Sequence, residues 1–564
     1  MPIDVITLKG VHFRYKNAPE EALRGIDLHI DPGESAFVMG PSGAGKSTLC
    51  ATLNGLIPHL IKGQLQGEVW VAGRDTRQHQ VKELCPMVGL VFQDFEAQLF
   101  STSVELEVAF GPENLGLDRP TLRERVERAL RLVRLEALRR RQPATLSGGE
   151  KQRLALASVF SMEPQIIVLD EPTTDLDPMG KEELFAAAQE LRKRGMTLVT
   201  VEHETEEALQ ADRIVVMGEG KVLAQGSPRD ILKDVKGLEE LGIRPLQTAE
   251  LSWALGLPGI WATPEEAFEG IQKRGWSLSP LACQKLQEKD GKWEYGEVVI
   301  QAQGLGYRYN GDVPALQEID LTVRRGEFLA LVGQNGSGKT TLVKHLNGLL
   351  TPTQGEVLVA GKDVRGEKPS RLSRKVGLVF QNPDHQIFAE RVWDEIAFGP
   401  RLQGLSAGEV SRRVDQALEA VGIQDFMGAD PFVLTKGGRQ RVAVASVLAT
   451  QPEVIGLDEP TTGLDYRELK SIMELVQRLN QAGHTIVMIT HSMPLVAEYA
   501  HRVVVMKEGR IIQDGPARLV FSDDRALAEA SLKAPPIVKL SHRMGFTTLT
   551  VREFLDCLDK RPSP

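Results

Sequence analysis

Short, continuous apolar runs recur along the chain. Ala36-Phe-Val-Met39, Val88-Gly-Leu-Val-Phe92, Gln165-Ile-Ile-Val-Leu169 and Met196-Thr-Leu-Val-Thr-Val201 are too short for helices. Runs of this kind suit strands buried on both faces, as in a parallel sheet. Nearer the N-terminus, Val5-Ile-Thr-Leu8 and Ile26-Asp-Leu-His-Ile30 read as β segments, and Asp31-Pro-Gly-Glu34 reads as the turn that follows them. Between the strands, stretches such as Leu122-Arg-Glu-Arg-Val-Glu-Arg-Ala-Leu130 place apolar residues at helical spacing. Strands alternating with helical segments predict an α/β fold.

The whole pattern then repeats. Gly67-Glu-Val-Trp-Val-Ala-Gly73 returns as Gly355-Glu-Val-Leu-Val-Ala-Gly361, and Val88–Gln93 returns as Val376–Gln381. The register is constant: 381 − 93, 459 − 171 and 491 − 203 all equal 288. A period of this length means a duplicated domain, not a solenoid. Each copy carries a tail. Leu251-Ser-Trp-Ala-Leu-Gly256 followed by Thr263-Pro-Glu-Glu266 resembles Leu540-Ser-His-Arg-Met-Gly545 followed by Thr550-Val-Arg-Glu553. Both contain a Thr-x-x-Glu capping box before an apolar run, which predicts a small helical extension. Trp253, Trp261, Trp276 and Trp293 in the segment joining the halves argue that it folds. The expected boundaries are 1–240 and 297–530 for the two large domains, with extensions at 241–296 and 531–564.

The strongest chemical signal follows the run ending at Met39. Gly40-Pro41-Ser42-Gly43-Ala44-Gly45-Lys46-Ser47-Thr48 has the spacing G-x-x-x-x-G-K-S/T between a strand and a helix. Glycines let backbone N–H groups close on phosphate oxygens, the lysine supplies a point charge, and the Ser47 hydroxyl suits Mg²⁺. The helix N-terminus favours the anion. The second copy, after Phe328–Val332, is Gly333-Gln334-Asn335-Gly336-Ser337-Gly338-Lys339-Thr340-Thr341. Asp170 and Asp458 end apolar strands, where they can hold Mg²⁺, and Glu171 and Glu459 beside them can polarise an attacking water. Gln93 and Gln381 are placed to contact or report the metal, and His203 and His491 to bond a γ-phosphate. Tyr15 and Tyr309 precede the loops, where an aromatic ring can stack on a purine or simply pack in the core.

Composition narrows the setting. The chain has 564 residues, 42% of them hydrophobic, with a net charge of −9, which argues against a dedicated nucleic-acid binder. Cys50, Cys85, Cys283 and Cys557 show no C-x-x-C spacing and read as isolated thiols in a reducing compartment. The N-terminus has no signal-peptide pattern, and no run reaches the ~20 apolar residues of a membrane-spanning helix. Any work at a membrane needs other chains to span it.

Leu146-Ser147-Gly148-Gly149-Glu150, lying between loop and Asp-Glu pair, is the diagnostic element of a family. With it, the chain resembles the ATP-binding cassette (ABC) ATPases along nearly its full length, as two tandem P-loop NTPase domains. The resemblance implies ATP with Mg²⁺ as cofactors and an intramolecular cassette pair packed head to tail. One site would then join Lys46, Ser47, Gln93, Asp170, Glu171 and His203 to the second signature. The other would join Lys339, Thr340, Gln381, Asp458, Glu459 and His491 to Ser147, Gly148 and Gly149. The second signature departs from the pattern: it reads Leu434-Thr435-Lys436-Gly437-Gly438, with Lys436 in place of a glycine (436 − 148 = 288). Lysine adopts positive φ less readily than glycine and brings a side chain into a phosphate-facing turn. Unequal sites are therefore expected, with the Lys339 site the better hydrolase.

Gln93-Asp-Phe-Glu-Ala-Gln98-Leu-Phe100 with Val108-Ala-Phe-Gly-Pro112, and Gln381-Asn-Pro-Asp-His-Gln386-Ile-Phe388 with Ile396-Ala-Phe-Gly-Pro400, look like the ATPases of energy-coupling-factor importers of vitamins and transition-metal ions. That likeness implies a transmembrane coupling subunit, a substrate-binding membrane subunit and a peripheral position on the cytoplasmic side of the cell membrane. The alternatives are a tandem ATPase of a sugar importer and a soluble ribosome-associated ABC ATPase.

Overall fold

The computed structural model describes residues 5–173, 176–290, 295–309 and 313–560; Asp175 and Trp293 lie outside them. The chain divides into two compact units, Met1–Ala262 with Asp465–Arg467, and Thr263–Leu464 with Glu468–Pro564.

The first unit is built on a six-stranded sheet with the order Lys221–Gly226, Arg213–Gly218, Ser35–Met39, Thr197–Val201, Ile166–Asp170, Val88–Val91. All neighbours are parallel except the first pair. The strands Ser35–Met39, Ile166–Asp170 and Thr197–Val201 are buried at every position, as their continuous apolar runs require. Because they are parallel, their C-terminal ends lie along one edge, where ligands bind in open α/β sheets. A four-stranded antiparallel sheet (Leu23–Ile30, Ile6–Tyr15, Gly63–Val71, Arg74–Asp75) completes the core with the helix Lys46–Leu53. A helical layer, Val104–Asn114, Arg119–Leu132 and Gly148–Phe160, packs through Val108, Val126, Leu130, Leu154 and Phe160.

The second unit repeats this topology. Its six-stranded sheet runs Val376–Val379, Val454–Asp458, Thr485–Ile489, Phe328–Val332, Arg502–Lys507, Arg510–Pro516. It also takes in the helices Pro264–Gln272 and Pro280–Asp290, which pack on Pro536–Arg543 and Val551–Cys557, with Ser277–Leu278 pairing antiparallel to Leu558–Asp559. Thr263 and Thr550 cap their helices, accepting from Glu266 N at 3.3 Å and Glu553 N at 3.2 Å. The reciprocal half of the second box is diverted. Glu553 accepts from Leu549 N and from the buried Arg518 guanidinium, each at 2.8–2.9 Å, and Asp290 pairs with the same arginine. Of the described tryptophans in the joining segment, Trp253 is 49% exposed under Lys236, and the half-buried Trp276 carries Arg274 on its face. Ala249, Leu251, Ala267 and Ile271 are fully buried instead.

Candidate phosphate-binding and hydrolytic sites

Each glycine-rich loop leaves the C-terminal end of its central strand and enters a helix at its lysine. Gly45 and Gly338 stand just before those helices with φ of 94° and 102°. A Cβ there would come within 2.5 Å of Ala22 O and 2.7 Å of Ala315 O, so both conformation and space demand glycine. Between them, Pro41–Ala44 and Gln334–Ser337 form tight turns, with Ala44 N donating to Pro41 O at 3.2 Å and Ser337 N to Gln334 O at 3.1 Å. Lys46 Nζ donates back to Gly40 O and Pro41 O at 2.8 and 2.9 Å; Lys339 Nζ does so to Gly333 O and Gln334 O, both at 2.7 Å. The loop's own carbonyls thus hold each ammonium in place, 5% and 6% exposed respectively. Burial lowers the pKa of Lys46.

Asp170 and Asp458 end the strands that lie one removed from the loops. Burial pushes the Asp170 carboxyl up to about 6, against a hydrogen bond from Ser47 that favours the ionised form. Burial also raises Asp458, although Thr340 Oγ1 donates to its Oδ2 at 2.9 Å. Asp170 Oδ1 is buried without a hydrogen-bond partner. A hydroxyl plus a buried carboxylate oxygen with free capacity fits Mg²⁺, which takes few protein ligands alongside phosphate and water. Among the described residues no group of three or more His, Cys, Asp or Glu could hold a metal alone.

Glu171 and Glu459 have φ of 48° and 49°, a left-handed conformation that is uncommon for a non-glycine residue. Each still donates its N–H to the neighbouring strand, to Val201 O and Ile489 O at 3.0 Å. The reversal aims the carboxylates across the sheet edge. His203 Nε2 lies 2.8 Å from Glu171 Oε1, and His491 Nε2 lies 3.0 Å from Glu459 Oε1. Gln93 Nε2 donates to Glu171 Oε2 at 2.6 Å, and no such bond joins Gln381 to Glu459 among the described residues. The histidines expected on a γ-phosphate thus lie against the glutamates expected to polarise water, and each pair forms one cluster. Tyr15 and Tyr309 are 39% and 41% exposed, pack edge-on against Phe13 and Tyr307, and reach Thr48 and Thr341 through their hydroxyls. They flank the loop helices and are not core residues.

Ser147 and Thr435 are helix N-caps, accepting from Glu150 N at 3.4 Å and Gly438 N at 3.1 Å. Gly148 and Lys436 occupy the first helical position, and neither has a positive φ. The conformational objection to lysine is thus removed: a helical residue needs no glycine freedom. The Lys436 side chain lies over the turn at Gly463, its Nζ 2.5 Å from where a Cβ on that glycine would stand.

Several residues of the site escaped the sequence reading. Glu107 and Glu395 are buried carboxylates that hold the segments bearing Phe100 and Phe388, accepting from Phe100 N and Ser101 N (3.0 and 2.7 Å) and from Phe388 N and Ala389 N (3.0 and 2.9 Å). Ion pairs Lys151–Glu96 and Arg439–Asp384, at 2.7 and 2.6 Å, tie each signature helix to the segment after its glutamine. Both pairs obey the 288-residue offset, which is the signal that could have found them. The buried Glu202, accepting from Thr173 N and Oγ1 beside His203, had no such signal, because its counterpart is Thr490.

Comparison with known proteins matches the family described as ABC transporter at residues 23–174 and again at 316–462. A protein of Caldanaerobacter subterraneus subsp. tengcongensis, provisionally named ABC transporter ATP-binding protein, is 51% identical over 98% of both chains. One of the same provisional name from Methanosarcina mazei is 39% identical over 97% of this chain and 96% of its own. Among solved structures, cbiO1 of Clostridium perfringens, described as part of the ABC transporter complex cbiONQ, is 35% identical over 44% of this chain and all of its own, with a TM-score of 0.39.

Proposed function

The chain belongs to the ABC transporter family as an ATP-hydrolysing subunit with two cassettes, and from that premise we propose that it energises an importer of the energy-coupling-factor type. The cargo class is a vitamin or a transition-metal ion, and the chain works peripherally on the cytoplasmic face of the membrane. The supporting observation is duplicated in the two subfamily segments. Phe100 and Phe388 are 63% and 62% exposed, and each meets a second exposed ring, Phe110 or Phe398, edge-on at 4.7 Å. Paired exposed aromatics beside each glutamine, fixed from beneath by Glu107 and Glu395, suit the docking of apolar helices from a transmembrane coupling subunit. A separate substrate-binding membrane subunit would then carry the selectivity.

In the chemistry, Lys46 and Lys339 neutralise phosphate charge and the loop amides orient it. Ser47 with Asp170, and Thr340 with Asp458, would hold Mg²⁺, whose contribution when bound is to offset charge on the phosphates. Glu171 and Glu459 accept a proton from the attacking water, and His203 and His491 orient those carboxylates. Following the sequence resemblance, Thr435 and Gly437 of the second signature, and Ser147, Gly148 and Gly149 of the first, are assigned to nucleotide contact.

Two experiments test this. Capture from solubilised membranes should recover integral membrane proteins; recovery with ribosomes and no membrane protein overturns the importer reading. Glu459→Gln should lower ATP turnover by about 10²-fold or more, the usual scale for a lost general base, and Glu171→Gln by less. The reverse order would refute the assignment of the stronger site.

A further inference from the structure

Each signature helix has a carboxylate on its N-cap hydroxyl, but the two carboxylates come from different places. In the first, Glu150 Oε2 accepts from Ser147 N at 2.8 Å and from Ser147 Oγ at 2.9 Å. The counterpart of Glu150 is Gly438 (438 − 288 = 150), so the second signature has no carboxylate of its own at that position. There Thr435 Oγ1 donates at 2.9 Å to Glu468 Oε1, in the first turn of the facing helix Tyr466–Gln481. The counterpart of Glu468 is in turn a glycine, Gly180 (468 − 288 = 180), where a Cβ would crowd Leu176 at 3.1 Å and Asp177 at 3.3 Å. The exchange is therefore reciprocal: Glu150 with Gly180, and Gly438 with Glu468. The Glu468 carboxyl also lies 2.7 Å from where a Cβ on Gly437 would stand, whereas the equivalent Gly149 meets only Leu176 at 3.4 Å. Lys436, lying over Gly463, is a second fastening between the same loop and the turn that follows Glu459.

We propose that Glu468 is a positioning residue for ATP hydrolysis, taking over from the facing helix the contact with the N-cap hydroxyl that Glu150 makes in the first signature. The lysine-bearing signature is then a rebuilt element and not a decayed one. It is held ordered by Glu468 on Thr435 and Gly437, and tied by Lys436 to the segment carrying Glu459. This rests on the reading that Thr435 and Gly437 contact nucleotide.

The test uses the full chain, with KM and kcat for ATP and the unfolding midpoint read on every variant. Glu468→Ala should raise KM about 2- to 10-fold, the size of a lost cap contact. Glu468→Gln, whose amide oxygen still accepts from Thr435, should stay close to wild type. Glu468→Ala combined with Gly438→Glu should recover KM, because the carboxylate returns to the position it holds in the first cassette. A purely structural role would lower the midpoint of Glu468→Ala and leave KM unmoved, which overturns the proposal. So does a folded double variant that keeps the raised KM. Should the double variant fail to fold, Gln against Ala decides: equal KM values refute the positioning role, and a raised KM in Ala alone supports it. Hydrolysis by a wild-type chain that captures no membrane partner would sink the importer reading and leave this inference standing.

Discussion

At Glu171 and Glu459 a left-handed φ turns the chain sharply at a strand end, and such backbone strain persists only where the surroundings hold it. The bonds to Val201 O and Ile489 O do so here. The cassettes differ most, residue by residue, just beyond this corner. Glu202, Glu204 and Glu207 in the first correspond to Thr490, Ser492 and Leu495 in the second (each + 288). Lys181 pairs with Glu204, while Glu207 Oε2 is buried without a hydrogen-bond partner. Burial, with the neighbouring Glu204 adding to it, raises the Glu207 carboxyl to about 8. A carboxyl whose pKa is higher folded than unfolded favours the fold fully below its unfolded value near 4.5, and that contribution is lost as pH rises through about 8. Glu207→Leu, which installs the second cassette's buried residue, should therefore raise the unfolding midpoint by about 2–4 °C at pH 8, the equivalent of ~1 kcal/mol. The gain should shrink toward pH 5. Calorimetry across that range checks it, and a gain independent of pH would refute the assignment to Glu207 ionisation.

At the scale of elements, the segments after Gln93 and Gln381 carry the exposed phenylalanine pairs, yet their conformation is set from below. One buried carboxylate takes two successive backbone N–H groups in each cassette. Glu107→Ala leaves those donors unsatisfied, at about 1–3 kcal/mol. Amide exchange at Phe100 and Ser101 should accelerate correspondingly, while ATP hydrolysis by the isolated chain changes little and capture of a membrane partner weakens. Unchanged exchange at those two amides would show that the loop is held by something else. The ion pairs Lys151–Glu96 and Arg439–Asp384 link the same segments to the signature helices. The segment carrying the exposed phenylalanines is thereby joined to the signature helix within its own cassette.

Across the molecule, duplication is uneven at the tails. Residues 263–290 pack against 536–559, and Arg518 is the polar centre of that assembly, pairing with Asp290 and Glu553 and donating to Thr547 O at 2.7 Å. Arg518→Ala would strand two carboxylates that are 26% and 24% exposed, so the loss should be about 2 kcal/mol, below the cost of breaking a fully buried pair. Limited proteolysis should then cut first between 518 and 560. A wild-type digestion pattern would mean that apolar packing around Ile537, Val538 and Phe554 holds the tail alone.

Much of this was legible in the chain. Short apolar runs became fully buried parallel strands, because a strand covered on both faces leaves no polar positions to obscure it. Glycine-lysine spacing located the phosphate loops, because their backbone admits almost no other residue there. A constant offset of 288 exposed the duplication. What stayed hidden were contacts between residues distant in sequence whose chemistry is ordinary taken singly. Glu468 on Thr435, Glu553 diverted from its capping box to Arg518, and histidines resting on glutamates are each a matter of which helix faces which strand end. The sequence by itself determined the fold and the two glycine-lysine loops, since each depends on local backbone demands. Only the tertiary structure decided what partners each carboxylate, because that partner is set by packing across the fold, and a glycine at Gly438 can be offset from a helix thirty residues away.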